Sequence, residues 1–406
     1  MADYAVVTGS GGLQFTWPVW ALLIELSHYR ETARGALCEM TVVMTTSDKP
    51  KRLTAGVLSL TTFSSRDSLA LKLKKLYEAP DWARIIETVC VRGAEEFRKG
   101  DPAIVLTGEG AETTEAFILN PLLYARHPTL LYGPGDSGKS FLALYLACLL
   151  TGGGSENGFA CSDHNVLYLD WELAAEDMNQ RLALLKAGHY AFRSVQLAYK
   201  RVVTPLADCL TELQSLVQRH DSDVIVVDSL ALAAGGELER AETAIRFYQA
   251  LRHLNKPALL LGHVAKNAEE KTPFGSVFFF NLARSIWEVR KVQEPESGHY
   301  VMGLYHRKCN LGPRRLPIGL QVTIGHDRCM LSTADLSEEP ELRAAMPLVE
   351  QVTALLKDKR ARTAQLITEE LDAPLETVRR TLQRHKGSKW YQLTGSGGKE
   401  AQWACL

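Results

Sequence analysis

The chain has 406 residues, of which 46% are hydrophobic and 23% are charged, which is the composition of an ordinary globular protein with a sizeable core. At about 150 residues per domain, this length predicts two or three domains. The formal net charge of −1 excludes a uniformly basic surface, so any contact with nucleic acid must come from local basic patches.

Compartment is indicated by the cysteines and by the apolar runs. The eight cysteines are scattered and show neither the CxxC nor the Cys/His spacing of a metal site. The first residues lack the basic-then-apolar pattern of a signal peptide, and no apolar run approaches the ~20 residues that span a bilayer. We therefore expect reduced thiols, no membrane contact and a cytoplasmic location.

Residues 1–115 are expected to form a small α+β domain whose role no motif indicates. The run PVWALLIELSHYRETA at 18–33 has a helical pattern of apolar residues, and LCEMTVVMTT and LTAGVLSLTTF are typical of strands. A helical region follows at 65–99, interrupted by Pro80.

Residues 116–331 alternate short β-branched runs with helical patterns. The runs are TLLYG, NVLYLD, DVIVVDS, ALLLGHV, SIWEVRKV and YVMGLYHRK. This alternation predicts an α/β core with a mainly parallel sheet covered on both faces. The polar, acidic residues 332–345 are typical of a linker.

The tail at 346–406 predicts three short helices and a hairpin, the pattern of a winged helix-turn-helix domain. From residue 343 onward it carries eleven Lys and Arg against seven Asp and Glu. In the third helix the pattern leaves Arg380, Arg384 and Lys386 outward, as a helix entering a major groove requires. A protein-docking module or a solvated charged face are the alternatives.

The strongest motif is GPGDSGKS, which fits GxxxxGK[ST] and lies between a predicted strand and a predicted helix. Small residues let the backbone N–H groups face phosphate oxygens, and Lys139 is expected to reach the β and γ phosphates while Ser140 binds Mg²⁺. A simple glycine turn is the alternative. The predicted ATP-binding residues are Gly133, Pro134, Gly135, Asp136, Ser137, Gly138, Lys139, Ser140 and Phe141.

A phosphate loop needs acids at the ends of neighbouring strands. DVIVVDS supplies Asp228, which is expected to coordinate the metal directly or to bind its ligands; an Asp that caps a strand end is the alternative. VLYLDWE supplies Asp170 and Glu172 as candidates for the base that orients the attacking water. We assign Glu172 to this role; a solvated surface acid is the alternative.

These residues resemble the RecA-like ATPases, and within them the RepA-like branch that includes the hexameric replicative helicase of broad-host-range plasmids. The resemblance covers about residues 117–325 and depends on LLYGPGDSGKS, YLDWELAAEDMNQRL, VIVVDSL, LGHVAKN and GSVFFFNLARSIWEV. In that branch the catalytic glutamate lies nine residues ahead of an Arg-Leu pair, as Glu172 lies ahead of Arg181 and Leu182.

The resemblance also implies residues that respond to the γ phosphate. His263 matches the sensor position, although a structural histidine is the alternative. Arg284 lies nine residues beyond Gly275, as the arginine finger does in the RepA-like pattern, and would act on a neighbouring subunit; a solvated arginine is the alternative. Lys308 matches the lysine of a Lys-x-Arg pair in DnaB-like helicases, but Asn310 replaces the arginine.

The resemblance implies an oligomer, with a hexamer expected, that couples ATP hydrolysis to DNA transactions. The expected activity is helicase-like, in replication or recombination of a mobile element or phage. Single-stranded DNA would contact Lys266 and Lys271 in the loop after the sensor strand, and duplex would contact the tail. The alternative is a non-motor ATPase switch or loader whose nucleotide state controls assembly and binding of the tail to DNA or to a partner protein.

Overall fold

A computed structural model of the protein describes residues 4–9, 12–33, 35–45, 50–100, 103–107, 117–264, 277–293, 297–393 and 401–406. The chain divides into two compact units, residues 1–111 and 112–406. In the described residues, no helix is long and apolar enough to cross a membrane. None of the eight cysteines forms a disulfide.

The first unit is a five-stranded antiparallel sheet in chain order, followed by two helices. The strands are β1 Ala5–Gly9, β2 Gly12–Trp17, β3 Leu22–Thr32, β4 Gly35–Met44 and β5 Lys51–Ser59. The helices are α1 Phe63–Leu76 and α2 Trp82–Lys99. The two helices are those predicted on either side of Pro80.

The predicted helix at 18–33 is wrong, because this segment forms β3 after a short 3₁₀ turn at Pro18–Trp20. Leu22, Ile24 and Leu26 are buried while the residues between them are half-buried. This alternation has the period of a strand, and it places the three side chains in the core of the unit.

The second unit is built on a nine-stranded sheet in the order β12-β11-β13-β14-β8-β15-β16-β17-β18. The six strands from β12 to β15 in this order are mutually parallel, and β16 to β18 add an antiparallel extension. The strands are β8 Thr129–Gly133, β11 Val166–Asp170, β12 Ala198–Arg201, β13 Val224–Asp228, β14 Ala258–His263, β15 Ser285–Val292, β16 His299–Cys309, β17 Ile318–Ile324 and β18 Cys329–Thr333.

Helices and small hairpins surround this sheet. The hairpin strands are β6 Phe117–Leu119, β7 Leu123–Tyr124, β9 Gly154–Glu156 and β10 Phe159–Cys161. The helices are α3 Lys139–Gly152, α4 Ala175–Gly188, α5 Leu210–Arg219, α6 Leu230–Ala234, α7 Ala241–Leu254, α8 Val277–Leu282 and α9 Pro340–Ala344.

The central strands of this sheet are buried on both faces. Every residue of β8, β11 and β13 is buried, and two separate apolar clusters cover the two faces of the sheet. Strands buried on both faces are typical of parallel sheets sandwiched between helices. The predicted α/β fold with a mainly parallel sheet is confirmed, whereas the antiparallel extension was not predicted.

The polar segment at 332–345, interpreted as a linker, packs on the sheet. Leu336 and Leu342 are buried against Tyr305, whose hydroxyl donates to the Leu342 carbonyl at 2.7 Å. The chain therefore leaves the sheet along an ordered path.

The tail has its own apolar core around Trp390 and Trp403. Its helices are α10 Leu348–Leu356, α11 Ala364–Leu371 and α12 Leu375–Arg384. Its strands are β19 Arg362–Thr363, β20 Trp390–Leu393 and β21 Gln402–Cys405, in the sheet order β19-β21-β20. The three helices and the hairpin predicted from the sequence are present.

Candidate active site

The phosphate loop connects β8 to α3 at the carboxyl edge of the sheet, and its backbone conformation requires glycine. Gly138 has φ +80°, and a Cβ there would lie 2.8 Å from the Met302 Cε. A Cβ on Gly133 would lie 2.4 Å from the Val289 carbonyl oxygen. Val289 on β15 and Met302 on β16 therefore leave no room for a side chain at these two loop positions.

Lys139 begins α3, and its ammonium is folded back over the loop. The side chain is 5% exposed. Its Nζ donates to the carbonyls of Gly133 at 3.0 Å and Pro134 at 2.6 Å, and to the Ser137 hydroxyl at 3.2 Å. Burial lowers the pKa of Lys139 to about 8, although Asp228 and other nearby acids oppose this shift. A bound phosphate would place a negative charge beside this ammonium and so favour its charged form.

Asp228 ends β13 beside the start of α3. It is 2% exposed and accepts a hydrogen bond from the Tyr168 hydroxyl at 2.9 Å. Burial raises the pKa of Asp228 to about 6, and a hydrogen bond from the Ser140 hydroxyl opposes this. The carboxylate and the hydroxyl thus lie side by side.

This pair fits Mg²⁺, which typically takes one or two protein oxygens and completes its shell with phosphate and water. Among the residues that the structure describes, no group of three or more His, Cys, Asp and Glu could hold a metal. The residues therefore suit an ion that is bound together with a nucleotide.

Asp170 and Glu172, the two acids after β11, have different environments. Asp170 is fully buried, and its Oδ1 accepts from the backbone N–H groups of Glu172 at 2.7 Å and Leu173 at 2.9 Å. The Glu172 side chain is 38% exposed and faces the cavity. This geometry makes Asp170 a positioning residue that fixes the turn, and leaves Glu172 to meet a ligand.

His263 ends β14 and is paired in register with Gly133. Its Nε2 lies 3.7 Å from the Glu172 Oε1. The neighbouring imidazole lowers the pKa of Glu172 while partial burial opposes the shift. Glu172 is therefore ionised at neutral pH.

One cavity of about 460 Å³ is bordered by these groups. Its lining includes Asp136, Ser137, Gly138, Lys139, Ser140, Phe141, Glu172, Asp228 and His263. The structure thus brings together the predicted phosphate, metal and base residues. The volume is within the range of ligand sites.

Strands β15 and β16 supply lining residues that sequence reasoning missed. Lys291 lies with its Nζ 3.2 Å from the Asp136 carboxylate and 5.1 Å from the centre of the Tyr300 ring. Arg181, which the sequence marks only by its spacing from Glu172, also lines the cavity and lies over the Phe141 ring at 5.8 Å. No motif marks Lys291 or Tyr300, because Lys291 reaches the site through the pairing of β15 with β8 and Tyr300 through the pairing of β16 with β15.

Arg284 lies at the opposite edge of the sheet from its own phosphate loop. It directly precedes Ser285, which pairs with Thr129 at the first residue of β8, whereas the loop follows Gly133 at the last. At about 3.3 Å per residue, the strand separates the two edges by roughly 13 Å. Arg284 is exposed and does not line the ATP-site cavity.

Lys308 has a structural environment. Its Nζ donates to the carbonyls of Phe280, Asn281 and Ala283 at 2.7, 3.0 and 2.9 Å, at the end of α8. Since all three donors are used within the chain, the side chain is held in place as a support for α8 and is not extended toward a neighbouring subunit.

The predicted DNA contacts are only partly described. Lys266 and Lys271 lie outside the described residues. Arg380 and Arg384 are exposed on α12, where Arg380 lies 3.5 Å from Glu376. Lys386 follows the helix and donates to the Gln392 side chain at 2.7 Å.

Comparison with known proteins gives a domain-level match. The family profile of an AAA domain matches residues 106–269. No curated protein matches the chain. The matched residues include the phosphate loop and part of the parallel sheet, so this part of the chain is similar to an AAA domain.

Similar solved structures cover about half of the chain. They include a KaiC-like protein of the archaeon Pyrococcus horikoshii, which is 14% identical, covers 53% of this chain and 93% of its own, and has a TM-score of 0.38. FlaH, a flagellar accessory protein of Methanocaldococcus jannaschii, is 17% identical with 52% and 92% covered and a TM-score of 0.36. The RadB recombinase is 20% identical with 51% and 91% covered and a TM-score of 0.36.

Proposed function

We propose that this protein is an oligomeric ATPase of the RepA-like branch that couples ATP hydrolysis to DNA transactions. The activity proposed is helicase-like, in replication or recombination of a mobile element or phage. The observation that supports the ATPase is the convergence of Lys139, Asp228 and Glu172 on one cavity. These are the phosphate, metal and base functions that hydrolysis needs.

In the proposed reaction, each group acts through its position. Lys139 and the loop N–H groups hold the phosphates, while Ser140 and Asp228 hold Mg²⁺, which when bound would neutralise charge on the β and γ phosphates. Glu172 orients the attacking water and accepts its proton, a role that its lowered pKa permits at neutral pH. His263, beside it, is placed to respond to the γ phosphate.

ATP turnover and ATP binding, measured separately, test the site. Lys139→Ala is expected to abolish turnover by removing the cation from the loop. Glu172→Gln is expected to lower kcat by at least about a hundredfold while leaving ATP binding within about threefold. Glu176→Gln, on the exposed first turn of α4, is the matched control. Wild-type turnover in Lys139→Ala would reject the site.

Arg284 supports the proposal of an oligomer, because it lies at the wrong edge of the sheet for its own phosphate loop. Mixing subunits tests this directly. Lys139→Ala and Arg284→Ala are each expected to be inactive alone, because one lacks the loop lysine and the other the neighbour's finger. In a random equal mixture, about a quarter of the interfaces pair an intact loop with an intact finger, so about a quarter of the activity should return. A mixture that stays inactive would show that Arg284 does not act on a neighbour's site, and wild-type turnover in Arg284→Ala alone would place it outside the reaction.

The tail supports the proposed DNA contact. Its three helices and small sheet suit a winged helix-turn-helix, and α12 presents exposed Arg380 and Arg384, with Lys386 beyond it. Replacing all three by alanine should reduce the slope of log affinity against log salt by about 2.7 for duplex DNA. Lys357→Ala with Lys359→Ala, exposed elsewhere in the tail, is the control. Equal slopes in both variants would remove α12 from the contact.

A second candidate is the non-motor switch or loader. It is favoured by the described residues after β13, where Arg240 is paired with Glu237 at 2.7 Å and Glu239 adds further acid. Such a segment attracts a DNA strand weakly. A tailed duplex distinguishes the candidates, since a motor separates its strands when ATP is hydrolysed, whereas a switch or loader only binds it.

A further inference from the structure

A second cavity lies at the amino edge of the central sheet, opposite the phosphate loop. Its volume is about 450 Å³. It is formed by the residues that enter three adjacent parallel strands, β14, β8 and β15, and by the last turn of α7. We call this cavity the amino-edge pocket. Because β8 runs between the two edges, this pocket and the ATP site are roughly 13 Å apart along the strand.

The lining of the amino-edge pocket is basic. Arg126, Arg252, Lys256 and Arg284 line it together with His127, and none of its lining residues is an Asp or Glu. In the described part of the chain, Arg252, Lys256 and Arg284 have no ion-pair partner within 4.0 Å. The charges of Arg252, Lys256 and Arg284 create a local positive potential that favours an anion.

His127 lies among these cations. Burial lowers the pKa of His127, and the charges of Arg284 and Arg126 lower it further. The imidazole is therefore neutral at physiological pH and offers a hydrogen bond in place of a further cation.

Part of the lining of the amino-edge pocket is apolar. Leu251 and Leu282 line it, and Tyr248 is buried there with its hydroxyl donating to the Phe279 carbonyl at 3.1 Å. A cavity of this volume with one apolar wall and several convergent cations has the size and chemistry of a small-ligand site. Phosphate is the group that such guanidinium and ammonium donors bind best.

We propose that the amino-edge pocket binds a free, phosphate-bearing small molecule of nucleotide size, with its phosphate at Arg252 and Lys256. This site is separate from the hydrolytic site and goes beyond the proposed ATPase function.

Equilibrium binding tests the site while the phosphate loop is saturated with a slowly hydrolysed ATP analogue and Mg²⁺. The probes are inorganic pyrophosphate, AMP and a single-stranded oligonucleotide, titrated calorimetrically. We expect one pyrophosphate or AMP per chain beyond the loop-bound nucleotide, at every protein concentration. Arg252→Gln with Lys256→Gln should weaken this binding by about a hundredfold, which is about tenfold for each charge-assisted hydrogen bond that is removed.

The control is Lys74→Gln with Lys75→Gln, which removes the same charge from the exposed last turn of α1. Equal weakening by both double variants would overturn the proposal, because it would reduce the binding to general electrostatic attraction. Binding of the oligonucleotide alone would overturn it in favour of a nucleic-acid strand. An extra site seen only at concentrations where chains associate would overturn it in favour of a neighbour's nucleotide. ATP turnover is measured separately on each variant, so failure here is distinct from failure of the hydrolytic site.

Discussion

Asp170 offers a sharp test of how the site is built, because its two carboxylate oxygens have different environments. Oδ1 accepts the N–H groups of Glu172 and Leu173, whereas Oδ2 is buried without a hydrogen-bond partner among the described residues. Burial raises the pKa of Asp170, and the two backbone N–H groups oppose the shift. The side chain is thus needed as an acceptor at one oxygen.

Two substitutions distinguish the role of Asp170 as a hydrogen-bond acceptor from the role of its negative charge. Asp170→Ala removes both hydrogen bonds, which are worth about 1.5 to 3 kcal/mol each when the acceptor is charged. Since water can partly replace them at this turn, we expect a net loss of about 2 kcal/mol in the free energy of unfolding. Displacement of Glu172 should lower kcat about 10- to 100-fold. Asp170→Asn keeps the amide oxygen as acceptor, so kcat should stay within about threefold.

The assay is steady-state ATP hydrolysis combined with equilibrium ATP binding and urea unfolding. ATP binding should change little in either variant, because the phosphate loop is untouched. Asp177→Ala, in the exposed first turn of α4, is the matched control. If Asp170→Asn loses as much kcat as Asp170→Ala, the negative charge itself is required and Asp170 takes part in the chemistry.

Three further outcomes are expected. Asp228 protonates below pH about 6, and Lys139 loses its proton above pH about 8. The affinity for Mg·ATP, measured from pH 5 to 9.5, should therefore be highest between these two values and fall up to about tenfold per pH unit outside them. An affinity that does not change with pH would contradict both assignments. Gly138 has φ +80°, and the Cβ of Gly138→Ala would collide with Met302, so this variant should lower the melting temperature. A Cβ at Gly135 meets no atom within 4 Å, so Gly135→Ala should leave the melting temperature unchanged. Trp390 is fully buried with its Nε1 donating to the Leu382 carbonyl at 2.7 Å, and Trp390→Ala should cost about 3 to 5 kcal/mol in urea unfolding of the tail; a loss under about 1 kcal/mol would reject this packing.

The parts of the site that could be predicted from sequence are those whose functional residues lie within one short loop or directly at the end of a recognisable strand. The phosphate loop needs its glycines within one turn. Asp228 is the last residue of β13 and Glu172 lies two residues after β11, and both strands are hydrophobic up to their final Asp. Parallel strands bring their carboxyl ends to one edge, so these residues meet once the α/β pattern is recognised. Loop conformation is not needed to bring them together.

Other features depend on pairing that the sequence does not mark. The apolar residues around Leu22, Ile24 and Leu26 are compatible with a strand or a helix. The segment forms β3, in which these three side chains pack in the core of the first unit. Lys291 reaches the ATP site because β15 pairs with β8, and Tyr300 reaches it because β16 folds back along β15. The amino-edge pocket combines residues from three separate chain segments with ordinary surface composition, so no motif indicates it.

The ATP site itself opposes folding of the empty protein. The pKa of Lys139 is lowered from 10.5 to about 8, so its buried charge costs about 3 kcal/mol below pH 8, and this cost disappears as pH rises toward 10.5. The pKa of Asp228 is raised from 3.8 to about 6, so its charge carries a similar cost above pH 6, which disappears as pH falls toward 3.8. Between pH 6 and 8 both groups are therefore held in their unfavourable charged forms. A bound phosphate would favour the ammonium and a bound cation the carboxylate, so the destabilisation held in this pair is the free energy that Mg·ATP binding recovers.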